Sequence, residues 1–226
     1  MADVIIKILD EADNFNLLTI EQARIGLQLT PGEPGSTDEF LNQLIETNSS
    51  VVSVLTNRVF ARERVRETWR CLGEPCDCED AAYSRRLFLS HWPVREEDVE
   101  RIEVPRGYPI ANNCWELDER AGRISIFCGT SEPIEVTYTG GFELPDEAPP
   151  ALRYAAMLLV SDSRATAQRE SSALGAGIKS IAHKESRVTF HSPTETTATS
   201  GRAGGADSPK MATVKLLLSH FTRHWI

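Results

Sequence analysis

The cysteines are the residues of this chain whose type first suggests chemistry. There are five: Cys71, Cys76, Cys78, Cys114 and Cys128. Structural zinc sites usually present two Cys pairs, each separated by two to four residues, and the spacing here does not follow that pattern. An odd number of cysteines without an export signal predicts reduced thiols. Because Cys128 alternates with Ile124 and Ile126, we expect it to be a small core residue rather than a metal ligand.

Three further motifs could carry chemistry, and each lacks an essential part. His220 and His224 are four residues apart and could share a metal, but no carboxylate stands near them. Ser90 and His91 are adjacent, without an evident third member for a nucleophilic triad. Residues 175–180 faintly resemble a phosphate-binding loop, but an isoleucine stands where glycine must precede the lysine. We therefore predict no catalytic residue, no cofactor and no metal site. An enzyme that binds metal through its Cys or His clusters remains the alternative from a different functional class.

Helical patterns predict the scaffold around these residues. Capping boxes at Thr19 and Ser36 predict helices over residues 19–29 and 36–60. The pair Pro149-Pro150 begins a third helix over residues 149–169, because proline is tolerated in a first helical turn. A β region of period-two segments lies at about residues 84–140, with a hairpin loop at 118–122. Alternation near residue 4 allows an N-terminal strand, and residues 61–72 fit either helix or strand.

The fold class that follows is α+β: a small helical bundle with an inserted antiparallel β region and an extended C-terminal arm that ends in a helix. We expect a body over residues 1–170, an arm and flexible tether over 171–212, and an anchoring helix over 213–226. Within the arm, two short apolar segments precede a tether rich in glycine, serine, threonine and alanine.

Charge is divided unevenly along the 226 residues. Residues 171–226 carry seven basic and three acidic side chains, which is +4 of a net −9 and leaves −13 on residues 1–170. An acidic body disfavours tight wrapping of nucleic acid, which needs basic surface. No apolar run is long enough to span a bilayer, and no signal peptide is evident. We expect a cytosolic protein that does not use a membrane.

The C-terminal segment is apolar on one helical face, which favours docking on a partner. The residues that we predict to make this contact are Val214, Leu217, Leu218, Phe221, Trp225 and Ile226. The alternative is that the segment folds back onto its own core. If it binds a partner, deleting residues 213–226 should abolish that binding and leave the body folded.

Four parts of the chain together resemble the head–tail connector (adaptor, or head-completion) proteins of long-tailed bacteriophages and gene-transfer particles. They are the opening helices at 19–24 and 38–45, the central segment 86–94, the run from 136–142 into 149–160, and the arm at 178–190 with the terminal helix. The Cys-rich loop at 72–80 and the tether at 192–208 depart from the family's pattern.

The resemblance implies a structural virion protein that forms a homo-oligomeric ring, with twelve copies expected, between the portal and the tail. Such a ring would extend the DNA channel and complete the head. Its partners would be the portal protein and a stopper or tail-completion protein, with genomic DNA passing through without sequence-specific binding. The protein would lie in the virion neck, and in the host cytoplasm before assembly. A stopper or tail-completion protein is the alternative within the same class.

Overall fold

The computed structural model describes residues 3–30, 32, 36–70, 85–128, 133–171, 180–183, 186–189 and 209–223. Its helices are α1 (Ile20–Gly26), α2 (Asp38–Thr56), α3 (Pro150–Ser171) and α4 (Pro209–Leu218). Its strands are β1 (Asp3–Asp10), β2 (Glu63–Arg70), β3 (Arg85–Phe88), β4 (Val99–Glu103), β5 (Trp115–Asp118), β6 (Arg123–Ile126), β7 (Ile134–Gly140), β8 (Ser180–His183) and β9 (Ser186–Thr189). Two 3-10 turns, Glu96–Asp98 and Asn112–Cys114, precede β4 and β5. The predicted α+β class is confirmed.

Local sequence signals set the limits of the helices. Thr19 caps α1 through the predicted capping box, in which its side chain accepts from the Gln22 amide and the Gln22 side chain accepts from the Thr19 amide. The predicted capping box at Ser36 is wrong, because α2 begins after Thr37, whose side chain makes no capping hydrogen bond. The helix ends at Thr56, earlier than predicted, because Asn57 adopts a left-handed conformation with φ of 54°. Four helices pack around one apolar core, to which α3 contributes Leu152, Ala155, Ala156 and Val160.

Seven of the described strands form two antiparallel sheets around a second core, and β8 pairs with β9 in a separate two-stranded sheet. One sheet has the order β1-β2-β7-β4 and the other has the order β3-β6-β5. Between them lie Val65, Tyr138 and Ile126, among other buried side chains. The predicted hairpin around residues 118–122 joins β5 to β6. The larger sheet extends beyond the predicted β region at about residues 84–140, because it includes β1, which the alternation near residue 4 allowed, and β2, from the segment that fitted either helix or strand.

The junction of the helical core with the sheets is aromatic and tightly packed. Trp92 makes edge-to-face contacts with Phe60 and Phe142 at ring separations of 6.5 and 5.7 Å. At the end of β7, Gly141 has φ of +111°, and a Cβ there would collide with the Ala61 carbonyl oxygen. Only glycine fits this position, so the chain turns sharply from the sheet toward α3.

Candidate functional site

The C-terminal segment docks on the helical core of its own chain. Val214 and Leu218 are buried there, and Leu217 and Phe221 are partly buried against the same core. The helix α4 ends at Leu218. After it the Phe221 amide donates to the Leu218 carbonyl in a turn. The prediction that the helix continues through residue 226 is therefore wrong for residues 219–223. Trp225 and Ile226 lie outside the described residues. Folding back therefore accounts for four of the six predicted contact residues, while portal binding itself stays a prediction.

Phe221 extends the aromatic junction. Its ring lies 5.4 Å from that of Trp92 and 6.2 Å from that of Phe60, both edge-to-face. Contacts of this geometry contribute about 0.5–1.5 kcal/mol beyond simple burial. The C-terminal segment is thus held at Phe221, where the helical core meets the sheets.

Arg223 carries the segment into a buried polar network. Its amide donates to the Thr56 carbonyl at 2.8 Å, at the end of α2. Its guanidinium lies 5.4 Å above the Trp69 ring and 4.0 Å from the Glu67 carboxylate. Because all three side chains are buried, these interactions are little screened by water.

Glu67 is the centre of that network. One of its carboxylate oxygens accepts from the Ser90 amide at 2.8 Å, and also from the hydroxyls of Ser90 and Tyr138. These groups come from β2, from β7 and from the segment after β3. The carboxylate therefore ties both sheets together at the point where the C-terminal segment arrives.

A second carboxylate completes a chain of hydrogen bonds through His91. The Oε2 atom of Glu63 lies 2.7 Å from His91 Nε2, and His91 Nδ1 lies 2.9 Å from Ser90 Oγ. Sequence reasoning found no third member for the Ser90–His91 pair, and the structure supplies Glu63. The alternation of Glu63, Val65, Glu67 and Trp69 was the available signal, since period two places both carboxylates on the face that bears the core residues.

Burial and partners shift the ionisation of these groups. Burial raises the pKa of Tyr138 well above its ordinary value, and the nearby Glu67 charge raises it further. Burial alone would raise the pKa of Glu63, but hydrogen bonds from His91 and from the Ala12 amide outweigh it and lower that pKa. Burial lowers the pKa of Arg58 from its ordinary value to about 10, with repulsion from Arg223 as a further cause.

The Glu–His–Ser chain of this network is enclosed by the fold. Ser90, His91 and Glu63 are all buried, so no substrate carbonyl reaches Ser90 Oγ in this fold. That oxygen also donates to Glu67, which holds it inside the network. Hydrogen bonds in a buried network rigidify the elements that they join, and here they join both sheets, while Glu67 Oε2 makes no hydrogen bond and faces the Arg223 guanidinium at 4.0 Å.

The cysteines give a different result from the one predicted. Cys114 and Cys128 form a disulfide, with Cα atoms 5.0 Å apart, so the prediction of reduced thiols is wrong for this pair. The β5–β6 hairpin folds the chain back and brings the two residues together. Cys128 is exposed, not a core residue, because β6 ends at Ile126. Cys71, Cys76 and Cys78 lie outside the described residues.

The other motifs remain apart. His220 is exposed, and His224 lies outside the described residues, as do residues 175–179. Within the described part of the chain, no group of three or more His, Cys, Asp or Glu side chains could hold a metal ion. None of the helices described is long and apolar enough to cross a membrane.

The outer face of the larger sheet is covered by paired charges. Arg64 binds Glu100 through two hydrogen bonds of 2.6 and 2.7 Å. Glu135 accepts ion pairs from Arg66 at 3.2 Å and from Arg106 at 3.1 Å. Carboxylates therefore neutralise much of the arginine charge on this face.

Comparison with known proteins shows which solved structures share this fold. No protein-family model matches the chain, and no curated protein matches its sequence. Among solved structures, the chain is similar to one from the neck of an empty gene transfer agent (GTA) particle computed with C6 symmetry, with 16% identity, a TM-score of 0.51, and coverage of 98% of this chain and 97% of that chain.

Two further solved structures contain a chain similar to this one. One is a chain of the virion of a native GTA particle, and the other is a chain of the neck of a native GTA particle computed with C12 symmetry. Each is 14% identical, with a TM-score of 0.50 and the same coverage. The protein therefore has the fold of chains found in the necks of gene transfer agent particles.

Proposed function

We propose that this protein is a structural component of the neck of a phage-like particle, where copies of it form a ring between the portal and the tail. The observation that carries the proposal is the likeness to GTA neck chains over 98% of this chain and 97% of the neighbour. Because the match extends over nearly the whole length of both chains, it supports a shared overall fold rather than one shared motif. The resemblance seen in the sequence led to the same class of protein independently.

The ring would extend the DNA channel from a filled head and complete that head. We propose twelve copies, as the resemblance to connector proteins implies. One GTA neck with a similar chain was computed with C12 symmetry and another with C6 symmetry, and a ring of twelve is compatible with both. A ring of identical copies needs two different faces on each copy, one for each neighbour. A stopper or tail-completion protein is the alternative, and the layer of four helices favours the connector over those more purely β proteins.

The chemistry of the chain supports a structural role. The Ser90–His91–Glu63 chain is enclosed and serves the packing of the sheets. Its network links both sheets to the C-terminal segment, so each copy would enter a ring as one stiff unit. We propose that the protein is not an enzyme and needs no cofactor.

We further propose that the C-terminal segment binds the portal. Leu216 is 73% exposed on α4 and needs no rearrangement to touch a partner. Val214 and Leu218 would become available only if α4 left the body, which would expose two buried side chains at about 1.5–3 kcal/mol each. Undocking would thus weaken portal binding by roughly two to four orders of magnitude. The segments of a whole ring would offset that cost by avidity.

The acidic body suits a DNA conduit, because a wall that does not attract phosphates lets a duplex slide. On the outer sheet face, the pairs Arg64–Glu100 and Arg66–Glu135 leave little free positive charge. If this face lines the channel, replacing Glu100 and Glu135 by glutamine should slow DNA ejection. Ejection at an unchanged rate would argue against this placement.

A binding experiment tests the proposed role. Purified chain should co-sediment with DNA-filled, tailless heads that carry the portal, and should not co-sediment with heads assembled without it. A Leu216→Glu variant should bind portal-bearing heads more weakly than a Val54→Glu variant, which changes an equally exposed residue on α2. Equal binding to both kinds of head would refute the proposed position in the particle.

A further inference from the structure

The strand β1 presents an apolar open edge. It is the outermost strand of the four-stranded sheet, and it pairs with β2 from Asp3 to Asp10. Ile5, Ile6 and Ile8 are 47, 43 and 50% exposed, and the register places Ile5 on one face of the strand and the other two on the opposite face. Edge strands are usually short or guarded by lysine, proline or a covering loop. Along β1, only Lys7 is a basic guard residue, so the described structure leaves a long edge ready to accept another strand.

The strands β8 and β9 form a hairpin to which no further strand is added in the described structure. They pair with each other over four residues each and form a two-stranded sheet separate from the other two sheets. An isolated two-stranded hairpin is marginally stable in water, and at least a third strand or a packed helix is normally required. This hairpin therefore gains most by joining an existing sheet.

Charge favours joining the two. Residues 3–13 carry Asp3, Asp10, Glu11 and Asp13 against Lys7, a net charge of −3. Residues 179–189 carry Lys179, Lys184 and Arg187 against Glu185, a net charge of +2. Although Asp10 also pairs with Arg64 of β2 at 3.6 Å, the two segments have opposite net charge and attract each other, which favours this pairing over β1 with β1.

We propose that the β8–β9 hairpin of one copy adds to the β1 edge of a second copy and extends its larger sheet. Main-chain hydrogen bonds would supply affinity, and the exposed isoleucines would pack against the added strands. The two copies contribute different surfaces, so the contact is head-to-tail and repeats from copy to copy. This contact would join neighbouring subunits of the ring described above. That the repeated contact closes into a ring rests on the proposed function.

Two blocked chains test the contact. In the first, Ile6→Lys and Ile8→Lys guard the β1 edge; in the second, a glycine–serine segment of equal length replaces residues 180–189. The matched control carries Ile25→Lys and Val54→Lys, at positions on α1 and α2 that are more exposed than those on β1. Sedimentation velocity over a range of concentrations measures self-association, with and without the portal.

Each blocked chain should self-associate at least about tenfold more weakly than the control. Mixing the two blocked chains should restore one contact, because one retains its hairpin and the other its edge, and should give heterodimers and nothing larger. Self-association of either blocked chain like the control, or a mixture without heterodimers, would overturn the proposal.

Amide exchange of the wild-type chain gives a second reading that needs no substitution. The β1 amides should gain protection on self-association, and unchanged β1 protection in an associated sample would also overturn the proposal. If the β1-blocked chain still forms rings on the portal, the contact between the hairpin and the β1 edge is refuted, while the proposed ring is not. A wild-type chain that stays monomeric even with the portal would contradict both.

Discussion

Two leucines of α4 that are two residues apart give a sharp test of how the C-terminal segment is held. Leu218 is 2% exposed in the helical core, whereas Leu216 is 73% exposed on the same helix. Both change to alanine, whose helix propensity is slightly higher than that of leucine, so the propensity effect is small and has the same sign in both variants. The only large difference between the two variants is therefore what the removed side chain touched.

The expected magnitudes differ clearly. Removing a buried leucine side chain costs about 2–5 kcal/mol, because transfer free energy is lost and a cavity remains. Removing an exposed one usually changes stability by less than about 0.5 kcal/mol. For a chain of this size, the Leu218→Ala loss corresponds to a fall in Tm of roughly 4–20 °C.

Urea unfolding followed by tryptophan fluorescence measures both variants, since Trp92 lies against Phe221 and Trp69 against Arg223. Leu218→Ala should lower the unfolding midpoint strongly, and Leu216→Ala should leave it near that of the wild-type chain. Equal midpoints for all three proteins would show that α4 does not dock on its own body. The portal would then not have to displace α4 from the helical core. The same reasoning predicts that deleting residues 213–226 destabilises the body, contrary to the expectation from the sequence.

Three further predictions concern the polar network and the disulfide. Tyr138→Phe removes a hydroxyl that donates to Glu67 and should cost about 1.5–3 kcal/mol in urea unfolding. Because the folded-state pKa of Glu63 lies below its ordinary 4.5, Glu63 stabilises the fold above that pH, and this contribution is lost as the pH falls through the folded value. The stability difference between wild type and Glu63→Gln should therefore shrink on acidification; a constant difference would contradict the assignment. Cys114→Ser opens a loop with a sequence separation of 14 residues and should cost about 3 kcal/mol, matched by reduction of the wild-type chain.

Elements with strong local signals were predictable from the sequence. The capping box at Thr19 and the Pro149-Pro150 pair predicted α1 and α3 to within about three residues at each end, because caps act through neighbouring backbone groups. The hairpin between β5 and β6 was predictable for the same reason: its turn lies between two short alternating segments.

Features that depend on distant residues were not predictable. The segment at 63–70 fitted helix or strand equally, and its pairing with β1 and β7 decided the outcome. The role of Ser90 and His91 depended on two carboxylates more than twenty residues away. The docking of Val214 and Leu218 depended on the surface of α3 and α2, which no pattern within the C-terminal segment reveals.

The most direct test of the proposed function is to mix the purified chain with its portal protein and image the particles end-on by electron microscopy. We predict a second ring stacked on the portal, with twelve subunits around an open channel. Portals that carry no second ring, at protein concentrations well above those of assembly, would contradict a role in the neck between head and tail.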